Sequence, residues 1–123
     1  MNRPRLALIV PAFNEAHRLK ETLPATREYL RIHRPESELI VDDDGSTDGT
    51  AQVAEEIFAR NSASAARVLR TAKNYGKGHA VRAGLLATEA TLAAFTDADL
   101  STPISQPAGS VSSGAAAIQR GRR

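Results

Sequence analysis

Leu6-Ala7-Leu8-Ile9-Val10-Pro11-Ala12-Phe13-Asn14-Glu15 is the stretch on which the fold turns. Its first five residues form a continuous apolar run, the pattern of a strand buried on both faces of a parallel sheet, and Pro11 closes it. Downstream, Leu19, Leu23, Thr26 and Leu30 recur at helical spacing, with Pro24 predicting a kink or restart. Glu38 to Val41 reads as a second short strand that stops in the polar turn Asp42-Asp43-Asp44-Gly45. Asp48 can cap the next helix, whose apolar face is Val53, Ala54, Ile57 and Phe58. Arg67 to Arg70 is a third strand, Asn74 to Gly78 a loop, His79 to Thr88 a third helix, and Leu92 to Thr96 a fourth strand. Four alternations of strand and helix with short connections predict βαβ units, hence an α/β domain with a mostly parallel sheet and helices on its faces.

Ligands of such sheets gather beyond the carboxyl ends of the strands, and the unusual clusters of this chain all fall there. Asp97-Ala98-Asp99 sets two carboxylates two residues apart where a strand ends. With a diphosphate they would complete the oxygen ligands of a hard divalent cation, Mg²⁺ or Mn²⁺. A lone Asp-x-Asp is also an ordinary solvated turn. Asp42, Asp43 and Asp44 stand side by side at another strand end, where repulsion calls for a cation, a helix N-terminus or ligand donors. A carboxylate there can accept a base N–H or a ribose hydroxyl, but Asp, Gly and Ser equally dominate turns and caps, above all for Asp44 and Asp48. Asn74-Tyr75-Gly76-Lys77-Gly78 opens a helix, so its backbone can approach a phosphate, with Lys77 or Lys73 reaching a diphosphate. Gly78 follows Lys77 where a P-loop needs Ser or Thr, and Val81 takes the place of a dinucleotide fingerprint's third glycine.

Composition sets the outer bounds. The 123 residues amount to one small domain or part of one, and the net charge of +2 does not establish nucleic-acid binding. There is no cysteine, which excludes disulfides and thiolate metal sites and leaves the cytoplasm as the expected compartment. No apolar stretch approaches the ~20 residues of a membrane span. Residues 105–123 contain no acidic residue, three arginines and much Ser, Ala and Gly, and read as a poorly ordered tail behind a domain of residues 1–104. His17, His33 and His79 share no metal-ligand spacing.

Taken in order, Pro11 to Glu15, Val41 to Thr50, Asn74 to Gly84 and Phe95 to Pro103 resemble the family 2 glycosyltransferases. The version Asp97-Ala98-Asp99-Leu100-Ser101-Thr102-Pro103 is most similar to the branch that makes dolichyl- or polyprenyl-phosphate glucose. The resemblance spans residues 6–104 and implies a Rossmann-like GT-A sheet, truncated here. It implies that Pro11, Ala12, Phe13 and Glu15 line a nucleotide pocket and that Asp43 holds the base. Asp97 and Asp99, with Ala98 between them, would meet the ribose, diphosphate and metal. It further implies transfer with inversion from a nucleoside diphosphate sugar, UDP-glucose first, to an acceptor such as a lipid phosphate at the cytoplasmic face of a membrane.

Two departures from the family pattern stand out. Asp42 occupies a position where the family usually keeps an apolar strand residue, and burying an unpaired carboxylate is costly. The chain also ends soon after Asp99, before an acceptor-binding half, so no catalytic base is named. The change in composition near Ile104 points to a truncated reading frame, and a donor-half fragment that binds nucleotide without transferring sugar is then a rival expectation. A second rival is a haloacid-dehalogenase-like phosphatase, with Asp42 as nucleophile and Asp44 as acid.

Overall fold

The computed structural model describes residues 5–60, 65–96 and 115–119. Strand and helix alternate: β1 Leu6–Ala12, α1 Ala16–His33, β2 Ser37–Asp44, α2 Thr50–Ala59, β3 Ala65–Thr71, α3 Lys77–Ala87, β4 Leu92–Thr96 and finally β5 Ala115–Gln119. They form one sheet in the order β3-β2-β1-β4-β5, in which β1 to β4 are parallel and β5 runs antiparallel to β4.

Strand side chains alternate between two cores, as the pleat requires. Leu8, Val10, Ala12, Leu39 and Val41 pack with Leu19, Leu23 and Leu30 of α1 and Ala54, Ile57 and Phe58 of α2. Ala7, Ile9 and Ile40 face the opposite way, together with Ala90, Ala93 and the partly buried Leu85 of α3. Full burial of side chains such as Ile9, Leu19 and Leu23 contributes roughly 1.5–3 kcal/mol each. Helices therefore cover both faces, which is why β1 and β2 read as unbroken apolar runs. Gly84 lets α3 come close, since a Cβ there would lie 2.7 Å from Ile9 Cγ2.

Three boundaries differ from the sequence-based expectation. Pro24 neither breaks nor restarts α1, which runs through it with the ring on the exposed side. Leu19, Leu23, Thr26, Arg27 and Leu30 are buried on both sides of the proline, so tertiary packing outweighs the lost backbone bond. Arg27 joins that stripe by donating to the carbonyls of Ile57 (3.4 Å) and Phe58 (2.9 Å) at the end of α2, with its guanidinium 5.0 Å from the Phe58 ring centre. Pro11 lies inside β1 rather than closing it, paired in register with Asp42 of β2; among the described residues the ladder to β4 runs from Leu6↔Leu92 to Ile9↔Phe95. All three aspartates, 42 to 44, belong to β2 and not to a turn, in register with Leu69, Arg70 and Thr71 of β3.

β5 corrects the tail reading for five residues. Its pairing runs from Leu92↔Gln119 to Thr96↔Ala115. An unpaired β4 would leave a row of backbone N–H and C=O groups exposed, and satisfying them asks nothing of side-chain hydrophobicity, the only property on which composition bears.

Candidate functional site

The sheet order places the topological switch at β1. From β1 the chain crosses by α1 to β2 on one side, and from β3 it returns by α3 to β4 on the other. The crevice thus opens beyond the carboxyl ends of β1 and β4. β1 delivers Pro11 and Ala12 to this edge beside their register partners Asp42 and Asp43. Phe13 follows with 43% of its surface exposed.

The loop after β1 is fastened to the loop after β2 by a run of hydrogen bonds. Asn14 N–H donates to Ser46 Oγ (2.7 Å), Glu15 N–H to Thr50 Oγ1 (2.9 Å) and Ala16 N–H to Asp48 Oδ2 (3.2 Å). Asn14 Oδ1 in return accepts from Thr47 N–H at 2.9 Å. Asn14 has φ 54°, a left-handed conformation that asparagine tolerates better than most residues. Asp48 Oδ1 accepts from the Thr50 N–H (3.0 Å) and hydroxyl. Desolvation pushes the Asp48 carboxyl up, but the bonds from the Thr50 hydroxyl and from the Ala16 and Thr50 amides outweigh it and hold its pKa below 3.8. Asp48 does serve the helix that follows it, and it serves α1 as well.

The three β2 carboxylates have three different environments because the pleat sends them to alternate faces. Asp43 points to the α1–α2 side, and its Oδ1 accepts from Ser46 N–H at 3.0 Å. Asp44, on the α3 side, accepts Tyr75 N–H with Oδ1 (2.9 Å) and Gly76 N–H with Oδ2 (2.8 Å), so it organises the turn into α3. Gly45, at φ 79°, lies directly against the backbone of Lys73 and Asn74. Asp42 is fully enclosed, and neither of its oxygens has a hydrogen-bond partner among the described residues. Burial pushes its pKa to about 6; Asp44 adds to the rise, His79 opposes it and Asp43 adds further. Its enclosure gives a substrate no approach to it as nucleophile, and the phosphatase reading is not favoured.

Lys77 is the exposed first residue of α3, behind Gly76 at φ 103°. Tyr75 and His79 stack beside it, with ring centres 4.7 Å apart. β4 ends at Thr96, and Asp97, Ala98 and Asp99 lie outside the described residues. Among the described residues no three His, Asp or Glu side chains are grouped to hold a metal ion.

Of the residues singled out from sequence, Pro11, Ala12, Phe13, Glu15 and Asp43 come together on adjoining strand ends, and Lys77 stands at the neighbouring helix start. Asn14, Ser46, Thr47 and Thr50 escaped a sequence reading as site residues. Their small polar side chains advertise capping, but not that the partner lies more than thirty residues away.

A largely parallel sheet with helices on both faces and polar loops gathered at its carboxyl edge defines a Rossmann-like α/β domain. Residues 7–106 match Glycosyl transferase family 2. A dolichyl-phosphate beta-glucosyltransferase of Trichomonas vaginalis is 40% identical over 105 residues, 81% of this chain and 32% of that protein. Among solved structures, the mannosyltransferase PcManGT of Pyrobaculum calidifontis, in complex with GDP-Man and Mn²⁺, superposes with a TM-score of 0.71 at 31% identity, over 80% of this chain and 28% of that one. Glucosyl-3-phosphoglycerate synthase of Mycobacterium tuberculosis, with Mn²⁺, UDP and its product, gives 0.60 at 28% identity, over 79% of this chain and 34% of that one. The chain belongs to glycosyl transferase family 2 and has the GT-A architecture over its described residues. It spans about a third of the length of these relatives.

Proposed function

We propose that this chain is the donor-binding part of a glycosyltransferase that moves glucose from UDP-glucose to a polyprenyl or dolichyl phosphate, inverting the anomeric carbon. The observation that carries this reading is the pairing of Ala12 with Asp43 at the switch-point edge, which gathers Pro11, Ala12, Phe13, Glu15 and Asp43 into one wall. Asp43, steadied through Oδ1 by Ser46, offers Oδ2 to a base N–H. Lys77, at the positive end of α3, would draw the diphosphate. Asp97 and Asp99, with Ala98 between them, would hold Mg²⁺ or Mn²⁺, and the metal supplies charge neutralisation at the departing diphosphate. Mn²⁺ in the complexes of the two similar structures supports an oxygen-ligated divalent ion. The name of the Trichomonas relative supports the glucosyl and dolichyl-phosphate preferences, and we put the site of action at the cytoplasmic face of a membrane. Among the described residues no helix is long and apolar enough to cross a membrane.

Calorimetric titration with UDP, with and without Mn²⁺, in the parent chain and Asp99→Ala tests the site. Metal-dependent binding in the parent that the substitution weakens by about tenfold or more is the expected result, since one of two carboxylate ligands is removed. Equal affinity in all four titrations overturns the reading. Replacing UDP by UDP-glucose and adding polyprenyl phosphate then asks whether these 123 residues turn over or only bind donor.

A further inference from the structure

We infer that Asp48 is a positioning residue of the donor pocket, clamping the start of α1 onto the start of α2 and so fixing Phe13 and Glu15. The inference rests on the donor-binding reading above. α1 begins without a side-chain cap of its own: Glu15 occupies its N-cap position and makes no capping bond. The cap is supplied from another part of the chain. Ala16 N–H is taken by Asp48 Oδ2, and Glu15 N–H by Thr50 Oγ1, whose hydroxyl proton goes to Asp48 Oδ1. With Asn14 N–H on Ser46 Oγ, three successive amides cross to the second loop. One carboxylate therefore neutralises the positive ends of two helices at once.

The consequence for the pocket is geometric. Phe13 and Glu15 flank the left-handed Asn14, so their direction depends on a backbone conformation that is unfavourable in isolation. The bonds to Ser46, Thr47, Thr50 and Asp48 hold it there, and those partners lie on the loop and helix start that follow Asp43 directly along the chain. Phe13, Glu15 and Asp43 are thereby set as a unit, and the pocket is organised before a nucleotide arrives.

The test compares UDP affinity in Mn²⁺ with folding stability across three variants of the 123-residue chain. Asp48→Ala is expected to weaken UDP binding about tenfold, since pre-organisation of a pocket wall is lost. Asp48→Asn keeps one acceptor oxygen but turns an NH₂ toward either Ala16 or Thr50, and should fall between parent and alanine; it also serves if the alanine variant does not fold. Arg27→Met removes the bonds to Ile57 and Phe58 at the far end of α2, and should lower stability with UDP affinity unchanged. Hydrogen exchange at Asn14, Glu15 and Ala16 should quicken in the Asp48 variants alone. UDP affinity within twofold of the parent in both Asp48 variants overturns the positioning role while the donor site stands. A parent chain that fails to bind UDP overturns both.

Discussion

Asp42→Val is expected to raise the free energy of unfolding by about 3 kcal/mol at pH 7.5, the cost of carrying a carboxylate from its ordinary value of 3.8 to about 6. Asp42 lies in β2 between Pro11 of β1 and Leu69 of β3, fully enclosed and with both oxygens unpartnered among the described residues. Because the folded pKa exceeds the unfolded one, the folded state keeps its proton longer. Stability is greatest below the unfolded value, falls as pH rises toward about 6, and levels off above it. Roughly 2 kcal/mol of the loss should develop between pH 4.5 and 7.5, and only in the parent. Valine suits a central strand by both shape and burial. Urea unfolding of both proteins across this range is the measurement, and parallel stability curves would show that the buried carboxylate is not the source of strain.

Gly45→Ala should cost about 3 kcal/mol or more, the sum of an unfavourable left-handed backbone and a backbone overlap. At φ 79° an added Cβ would stand 2.5 Å from the Lys73 carbonyl carbon and 2.6 Å from Asn74 N. Neither neighbour is a side chain that can swing aside. The turn after β3 would have to retreat, which also breaks the bonds from Tyr75 and Gly76 to Asp44 and displaces the start of α3 with Lys77. Urea unfolding reads the first effect and UDP titration the second. A variant within 0.5 kcal/mol of the parent, the range of an ordinary surface substitution, would mean that the close approach does not constrain the fold.

Much of this architecture was open to reading from residues alone. Buried parallel strands must be apolar on both faces, and their crossover helices on one, so Leu6 to Val10, Val53 to Phe58 and Leu92 to Thr96 could be assigned by period. The boundary at Pro24 was not legible in this way, because the proline's local penalty competes with burial of Leu19, Leu23 and Leu30, which no local rule weighs. β5 was hidden for a related reason: it is defined by the edge it satisfies.

The candidate site divides along the same line. Sequence by itself determined which chemistry is present, carboxylates at strand ends and a glycine-lysine helix start, because residue type and strand position suffice to place acceptors and cations at one sheet edge. Only the tertiary structure decided what each carboxylate does: Asp43 faces the α1–α2 side, Asp44 holds backbone amides, Asp48 caps two helices and Asp42 is buried without a partner among the described residues. The pleat turns neighbours to opposite faces, and the amides that Asp44 holds, with the Ala16 amide on Asp48, come from more than thirty residues away, so four identical side chains acquire four roles only when the sheet forms.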